Sequence, residues 1–257
     1  MSSKAIAIVT GASSGLGKEF TRLLAHEPGL EEIWAVARHR ETLKHLEREF
    51  GSSIRPFAAD LSRQEERLKL SAVLQNEQPH LRYLVNCAGY AKFCSYEDLS
   101  LQDSLDILSL NIDGVVAMGL IGLPYMRRGD HLINIASQAA FQPLPYQNLY
   151  SCTKAFVRHY SRALNQELKE RGIVVTAVCP GWMDTALYQR ADIGADKGTR
   201  HFPAMASPAK VAEKALRDAW RGRDQSVYSL YVKSAHIAAK LLPQKMMMAL
   251  WLRQQGL

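Results

Sequence analysis

Short apolar runs alternate with longer amphipathic stretches along most of this chain. The strand-like runs are Ala5–Val9, Ile33–Ala37, Ile54–Ala58, Tyr83–Asn86, Leu132–Ala136 and Ile173–Val178, with a later one near Val227–Val232. The stretches with helical spacing or composition are Gly15–Ala25, Thr42–Phe50, Arg63–Gln75, Leu101–Met126 and Leu149–Arg171. This alternation predicts an α/β fold, in which crossover helices cover both faces of a parallel sheet.

The order of these elements is not broken by any Pro/Gly/Ser-rich linker, so we expect one domain spanning residues 1–257. In sheets of this kind, ligands bind beyond the carboxyl ends of the strands, where the order of the strands reverses. The residues that directly follow each strand are therefore the candidates for function.

Composition and charge exclude several classes of protein. There is no run of about 18 apolar residues and no secretory signal pattern, so we expect neither a membrane-spanning helix nor export. The four cysteines have no metal-binding spacing and are interpreted as reduced thiols of a cytoplasmic protein without a metal site. The net charge of +7 comes from basic residues scattered among 25 acidic ones, a pattern that does not favour nucleic-acid binding.

A glycine-rich turn, "TGASSGLGKEF", follows the first predicted strand. It does not match the phosphate loop of nucleotide triphosphatases, because Ala12 stands where that loop needs glycine and Glu19 where it needs Ser or Thr. Gly11, Gly15 and Gly17 allow a tight turn into a helix whose N-terminal N–H groups can bind an anion. The alternative is an ordinary strand–helix turn.

The next strand ends carry polar residues that suit a dinucleotide. Sites for NAD place an acidic residue after the second strand, whereas this chain has Arg38, which can pair with a 2′-phosphate. This favours NADP over NAD, although Arg38 can also simply begin a surface helix. Asp60, Asn86 and Gly89 follow the third and fourth strands, where a helix cap or a turn would explain them equally well.

Three residues further along the chain suggest chemistry. Ser137 follows the fifth strand, and Tyr150 and Lys154 lie four apart, on one face of the next helix. A phenol has a pKa of about 10, which a nearby ammonium is expected to lower. A serine hydroxyl can then hold a substrate oxygen beside the phenol. The set suits proton transfer that accompanies hydride transfer.

These motifs together resemble the short-chain dehydrogenase/reductase family, in its short single-domain branch. The matching segments, in the family's order, are "TGASSGLG" (10–17), "DL" (60–61), "NCAG" (86–89), Asn111, Ser137, "YSCTK" (150–154) and "PGWMDT" (180–185). The resemblance covers about Ala5 to Thr185 and implies a Rossmann-type, doubly wound, three-layer α/β/α fold. Cys87 departs from the family, which more often has asparagine there.

The resemblance also implies roles for individual residues. Tyr150 would be the general acid/base and Ser137 would position the substrate oxygen. Lys154 would hold the nicotinamide ribose, while Asn111 would kink its helix and anchor a proton-relay water. The implied site for NADP(H), with NAD as the alternative, consists of Gly11, Ser13, Ser14, Gly15, Leu16, Gly17, Arg38, Asp60, Leu61, Asn86, Ala88, Gly89, Tyr150, Lys154, Pro180, Gly181, Met183 and Thr185.

The family's substrate specificity usually lies in the loop before the tyrosine and in the segment after "PGWMDT", here a lid at about 182–206. Beside Ser137 and Tyr150, an apolar pocket can be built from Phe93, Phe141, Leu144, Pro145, Trp182, Leu187 and Tyr188. Such a pocket suits a bulky alcohol or ketone, such as a hydroxysteroid, a bile acid or a keto-lipid. A small ketone or a 3-ketoacyl carbonyl is the alternative.

The C-terminal segment, about 233–257, interleaves apolar residues with Lys240, Lys245 and Arg253 and resembles the tails of family members that act on steroids and lipids. Three interpretations compete: a helix packed on the mouth of the active site or on a second subunit, a membrane-surface helix, and ordinary core. Packing against protein is favoured, and we expect a homodimer or homotetramer.

Three functions can be compared on these grounds. An NADP-dependent alcohol/ketone oxidoreductase accounts for all the motifs. A sugar-nucleotide epimerase or dehydratase would show a T-G-x-x-G-x-x-G turn and a larger substrate domain, which this chain lacks. A non-catalytic nucleotide sensor would typically lack the Tyr–Lys pair.

Overall fold

The sheet of this protein has seven parallel strands. The computed structural model describes residues 3–193 and 198–257. The strands are β1 (Ala5–Thr10), β2 (Glu32–Ala37), β3 (Ile54–Ala58), β4 (His80–Asn86), β5 (His131–Ile135), β6 (Val174–Cys179) and β7 (Gln225–Val227). Their order across the sheet is β3-β2-β1-β4-β5-β6-β7, so the chain order reverses between β1 and β4.

Helices cover both faces of the sheet. They are α1 (Gly15–Leu24), α2 (Arg40–Phe50), α3 (Gln64–Glu77), α4 (Leu101–Leu108), α5 (Gly114–Gly122), α6 (Asn148–Glu167), α7 (Ala186–Ala191), α8 (Pro208–Trp220), α9 (Leu230–Leu241) and α10 (Gln244–Gln255). One core packs α1, α2 and α8 on the face that carries Ala7 and Val9 of β1. The other packs α3 and α5 on the face that carries Ile6 and Ile8. The predicted doubly wound, three-layer α/β/α fold is confirmed.

The structure differs from the sequence-based elements at several places, one of them near the seventh strand. The late seventh strand exists, but it lies at Gln225–Val227 and does not extend towards Val232, because α9 begins at Leu230. The Ser229 hydroxyl accepts a hydrogen bond from the Val232 N–H, and this cap starts a helix in spite of the β-branched and aromatic composition. The pattern also gave no indication of α8.

The long predicted helix Leu101–Met126 is divided by a π-helical turn at Ser109–Asp113. Among the described residues, Leu101–Tyr125 is one helical stretch whose length and mean hydropathy of 1.7 would suffice to cross a membrane. A helix in a protein core passes the same test. Here the stretch packs on the sheet, where Met118 is fully buried and a Cβ on Gly122 would lie 2.8 Å from the Leu84 side chain.

The glycine turn after β1 is packed tightly against the segment after β4. Gly11 has a φ of +65°, and a Cβ there would lie 2.9 Å from backbone atoms of Ala88. A Cβ on Gly17 would lie 2.2 Å from the carbonyl oxygen of Gly11. The Thr10 hydroxyl accepts hydrogen bonds from the N–H groups of Cys87 and Ala88, at 3.0 and 3.1 Å. The two segments that flank the reversal of strand order are thereby held together.

Candidate active site

A cavity of about 950 Å³ lies at the carboxyl ends of the strands. It brings together residues that are far apart in the sequence, because each strand delivers its following loop to the same edge of the sheet. The sequence-predicted residues that line it are Gly11, Ser13, Ser14, Gly15, Leu16, Gly17, Arg38, Asp60, Leu61, Ala88, Gly89, Ser137, Leu144, Tyr150, Lys154, Pro180, Gly181, Trp182, Met183, Thr185, Leu187 and Tyr188.

Ser137, Tyr150 and Lys154 meet in this cavity. Ser137 follows β5 and lines the cavity beside Tyr150, which lies in the first turn of α6. One turn further along α6, the Lys154 ammonium donates a hydrogen bond to the Ile135 carbonyl, at 2.8 Å. The Lys154 Nζ atom lies 5.7 Å from the centroid of the Tyr150 ring. The i, i+4 spacing thus places phenol and ammonium side by side on buried helix surface.

Burial dominates the ionisation of both groups. It raises the pKa of Tyr150 to about 12, although the hydrogen bond with Ser137 acts in the opposite direction. Burial also lowers the pKa of Lys154 to about 8. Burial therefore outweighs the lowering of the phenol's pKa that was expected from the ammonium, because loss of hydration disfavours the phenolate. Near neutral pH, Tyr150 carries its proton and can donate it.

Asn111 lies behind this set, in the π-helical turn between α4 and α5. Its side-chain oxygen accepts from the Tyr90 N–H at 2.8 Å, and its amide nitrogen donates to the Tyr90 carbonyl at 2.9 Å and to the Thr153 hydroxyl at 3.0 Å. The side chain is fully buried and does not line the cavity. In this structure it joins the segment after β4 to helix α6.

Four other predicted residues, Asn86, Phe93, Phe141 and Pro145, also lie outside the cavity lining. Asn86 is buried and donates to the Asn134 side chain at 2.9 Å, a contact that links β4 to β5. Phe141, expected to bind substrate, stacks instead on the His236 ring of α9, with ring centroids 4.0 Å apart. Its ring also lies 5.3 Å from the Arg158 guanidinium. Phe141 therefore packs α9 against α6 and gives no surface to the cavity.

The other part of the cavity has the features that an anionic dinucleotide requires. Helix α1 begins there, with no acidic residue in its first turn and no cap from the Ser14 hydroxyl, so its positive end is not neutralised by those groups. Arg38 is exposed at the end of β2 and forms no ion pair with any of the described residues. These residues fit the phosphates of a dinucleotide, and Arg38 fits an additional phosphate on its adenosine half.

An aromatic cluster covers Tyr150. The Phe93 ring packs edge-on against the Tyr150 ring, with centroids 5.8 Å apart, and also against Trp182, at 6.3 Å. Trp182 in turn contacts Tyr188 and Phe202, at 5.4 and 5.0 Å. Phe93, Trp182 and Tyr188 were expected here, whereas Phe202 was not, since no local pattern connects it with the tyrosine.

Helix α10 closes this cluster from outside. Trp251 stacks with Trp182, at 6.3 Å between centroids, and its indole N–H donates to the Pro145 carbonyl at 3.0 Å. The Gln255 side chain accepts hydrogen bonds from the N–H groups of Arg200 and His201, both at 3.0 Å. The C-terminal segment therefore packs on the lid and the mouth of the cavity, which is the interpretation that the sequence favoured.

Several residues that line the cavity were not singled out from the sequence. They are His39, Thr42, Arg63, Tyr90, Gln102, Gln138 and Gln147. Cys87 also lines it, and burial raises the pKa of its thiol to about 12, so it stays neutral beside Lys154. The sequence positions of two of these residues could have indicated them. Gln138 directly follows Ser137, and Gln147 lies three residues before Tyr150.

Comparison with known proteins agrees with this geometry. A family model described as short chain dehydrogenase matches residues 5–195. An uncharacterized oxidoreductase of Staphylococcus aureus (strain USA300) is 32% identical over 185 residues, which cover 71% of this chain and 79% of the relative.

Two solved structures are similar over most of the chain. A short-chain dehydrogenase from Sphingobium yanoikuyae in complex with NADPH has a TM-score of 0.80 at 25% identity, over 95% of each chain. The closed form of a serine dehydrogenase complexed with NADP+ has a TM-score of 0.74 at 28% identity, over 87% of this chain and 94% of that one.

Proposed function

The chain belongs to the short-chain dehydrogenase family, and from that premise we propose that it is an NADP(H)-dependent oxidoreductase that interconverts a secondary alcohol and a ketone. The observation that carries the proposal is the meeting of Ser137, Tyr150 and Lys154 in one cavity with the glycine turn after β1. Proton-transfer groups and an anion-binding helix end are what a hydride-transfer enzyme must bring together.

Four residues of the chain have separate roles in the proposed reaction. In the direction of reduction, Tyr150 gives its proton to the carbonyl oxygen, which the Ser137 hydroxyl holds beside the phenol. Lys154 holds the nicotinamide ribose and keeps a positive charge close to the oxygen of Tyr150. Asn111 fixes the backbone on both sides of the site. The bound nicotinamide supplies or accepts the hydride.

Arg38 supports the choice of NADP over NAD. Its guanidinium lies at the cavity, in the position where an acidic residue would bind the ribose hydroxyls of NAD. The two similar solved structures reported above are complexes with NADPH and NADP+, which supports this choice.

The aromatic cluster supports a bulky, hydrophobic substrate. Rings from four separate segments, Phe93, Trp182, Phe202 and Trp251, surround the approach to Tyr150. A second cavity of about 780 Å³ shares Leu144 with the first and is lined partly by α10. A hydroxysteroid, a bile acid or a keto-lipid could extend along this apolar surface.

The function is tested with purified protein, NADPH and a panel of ketones. The panel contains steroid and bile-acid ketones, long-chain aliphatic ketones, a small ketone and a 3-ketoacyl thioester. We expect NADPH oxidation with at least one bulky ketone and slower turnover of the small one. A preference for the thioester would replace the bulky substrate with the 3-ketoacyl class. No turnover of any member, with NADPH still bound, would support a non-catalytic sensor instead.

The pH dependence of the reaction should follow Lys154. Its pKa of about 8 lies well below that of Tyr150, and the Cys87 and Cys179 thiols beside it are neutral, with pKa values of about 12. The value of kcat/KM for NADPH reports ionisations of the free enzyme. We expect it to fall as the pH rises through about 8, because the cation that holds the ribose loses its charge.

The measurement is a pH profile from 6 to about 10.5, with Lys154→Arg as the control. An arginine stays charged over this range, so the residual activity of that variant should lose the step near pH 8. A wild-type profile that stays flat to pH 10 would contradict the assignment to Lys154.

The proposed function also includes an oligomeric state and a cellular location. Large apolar side chains are exposed on helices α4, α5 and α6, among them Leu105, Leu120 and Phe156. Such a surface supports a homodimer or homotetramer. A cytoplasmic location is expected of an enzyme that draws on the cell's NADPH.

A further inference from the structure

One buried polar atom in the cavity has no use in the chemistry described above. Gln147 directly precedes α6 and lines the same cavity as Ser137 and Tyr150, yet it is only 1% exposed. Its amide nitrogen donates a hydrogen bond to the Thr199 hydroxyl, at 2.8 Å. Its side-chain oxygen, Oε1, is buried and has no hydrogen-bond partner among the described residues. A buried carbonyl oxygen without a partner is uncommon in folded proteins and requires an explanation.

The backbone holds this amide in place. The Gln147 N–H donates to the Leu144 carbonyl at 3.1 Å, and the Gln147 carbonyl accepts from the Ser151 N–H at 2.8 Å. The residue before it, Tyr146, has a φ of +63°, a left-handed conformation that non-glycine residues rarely adopt. Backbone strain of this kind persists where the surrounding structure enforces it, often at binding sites. Gln147 is thus fixed at both its backbone and its amide nitrogen, and it cannot turn its oxygen to solvent.

We infer that Gln147 Oε1 accepts a hydrogen bond from a second polar group of the substrate, a hydroxyl near the carbonyl that is reduced at Tyr150. This inference rests on the proposed function. Gln147 directly precedes α6, Tyr150 lies in the first turn of that helix, and both residues line the same cavity. The hydroxyl therefore lies a few bonds from the reacting carbonyl. The substrate class is a hydroxyketone whose remaining surface is apolar.

The contact with Thr199 connects this recognition to the lid. Thr199 belongs to the predicted lid segment and is buried, and the neighbouring residues Arg200 and His201 are bound through their N–H groups to Gln255 of α10. A single amide therefore contacts the lid with its nitrogen and the substrate with its oxygen. A substrate without the hydroxyl leaves Oε1 unpaired when the lid is in place, and the site selects against it.

The test compares ketones that differ by one hydroxyl. The probes are 2-decalone, a bicyclic apolar ketone, and a series of hydroxydecalones in which the hydroxyl stands at successive carbons. For at least one hydroxydecalone, we expect the wild-type kcat/KM to exceed that of decalone by about 10²-fold or more, because a site built to bind a hydroxyl strongly rejects the analogue without it.

Three variants separate recognition from a structural role. Gln147→Leu should lower kcat/KM for the preferred hydroxydecalone to about that of decalone and leave decalone reduction nearly unchanged. Gln147→Glu keeps the acceptor oxygens and should retain most of the preference. Gln166→Leu, the same substitution at an exposed glutamine of α6 that does not line the cavity, should also retain it.

Two outcomes would overturn the inference and leave the proposed function intact: equal wild-type rates for decalone and all its hydroxy derivatives, or a Gln147→Leu variant that slows every ketone to the same extent. If the wild type reduces no ketone at all with NADPH, the proposed function fails and this inference fails with it.

Discussion

Replacing Tyr150 with phenylalanine should slow NADPH-dependent ketone reduction by about 10³–10⁴-fold while NADPH binding stays unchanged. A positioned acid contributes about 10²–10⁴-fold to a proton transfer, and the proposed function places the substrate oxygen between this phenol and the Ser137 hydroxyl. Because burial raises the pKa of Tyr150 to about 12, the phenol retains its proton through the neutral range. The measurement combines single-turnover rates with fluorescence titration of NADPH.

Tyr188→Phe is the matched control for this prediction. Tyr188 lines the same cavity, and its hydroxyl accepts a hydrogen bond from the Met183 N–H at 2.9 Å. Burial raises the pKa of this phenol too, so both substitutions remove a buried hydroxyl from the site. We expect Tyr188→Phe to change the rate by less than about tenfold, since an ordinary hydrogen bond contributes about 1 kcal/mol. Equal losses in both variants would show that the effect of Tyr150 comes from packing.

The sequence predicted those parts of the site whose position follows from helical spacing or from lying directly after a strand. The spacing of Tyr150 and Lys154 puts them on one helical face wherever that helix packs. The glycine turn follows β1 directly, and position after a strand is enough to send its residues to the carboxyl edge of the sheet. The pattern of apolar runs located the first six strands for the same reason.

The parts that the sequence did not predict depend on contacts between distant segments. The pKa of Tyr150 is set by burial under Phe93, Trp182 and the lid, and no local pattern reports how closely they pack. Phe141 lies close to Ser137 in the sequence, but its ring stacks on the His236 ring of α9 and does not line the cavity. The missing partner of Gln147 Oε1 is likewise visible only when all neighbours are in place.

The position of α10 has a consequence for how the site opens. Trp251 and Gln255 bind the C-terminal helix to the lid through an aromatic stack and three hydrogen bonds to backbone groups of Arg200 and His201. If this segment acts as the predicted lid, we expect its movement to break those contacts or to move α10 with it. We therefore predict that access to Tyr150 depends on α10, which lies beyond the residues matched by the family model.

Changing Arg38 to aspartate should weaken NADPH binding by about 10²–10³-fold and leave NADH binding unchanged or slightly tighter. Hydrogen bonds from a guanidinium to a phosphate contribute about 1.5–3 kcal/mol, and each 1.4 kcal/mol corresponds to about tenfold. The new carboxylate also repels the 2′-phosphate, while it can accept hydrogen bonds from the ribose hydroxyls of NADH. The measurement is a fluorescence titration of each nucleotide, so that the result does not depend on the substrate.

Arg40→Asp is the control, because it changes the net charge by the same amount only two residues away. Arg40 is exposed on α2 and does not line the cavity, whereas Arg38 does. We expect Arg40→Asp to weaken NADPH binding by less than about threefold at 0.15 M salt, where the Debye length of about 8 Å screens charges outside the site. If both variants lost affinity equally, the preference would reflect the general positive charge of the protein. A loss confined to Arg38→Asp would instead assign it to one guanidinium at the end of β2.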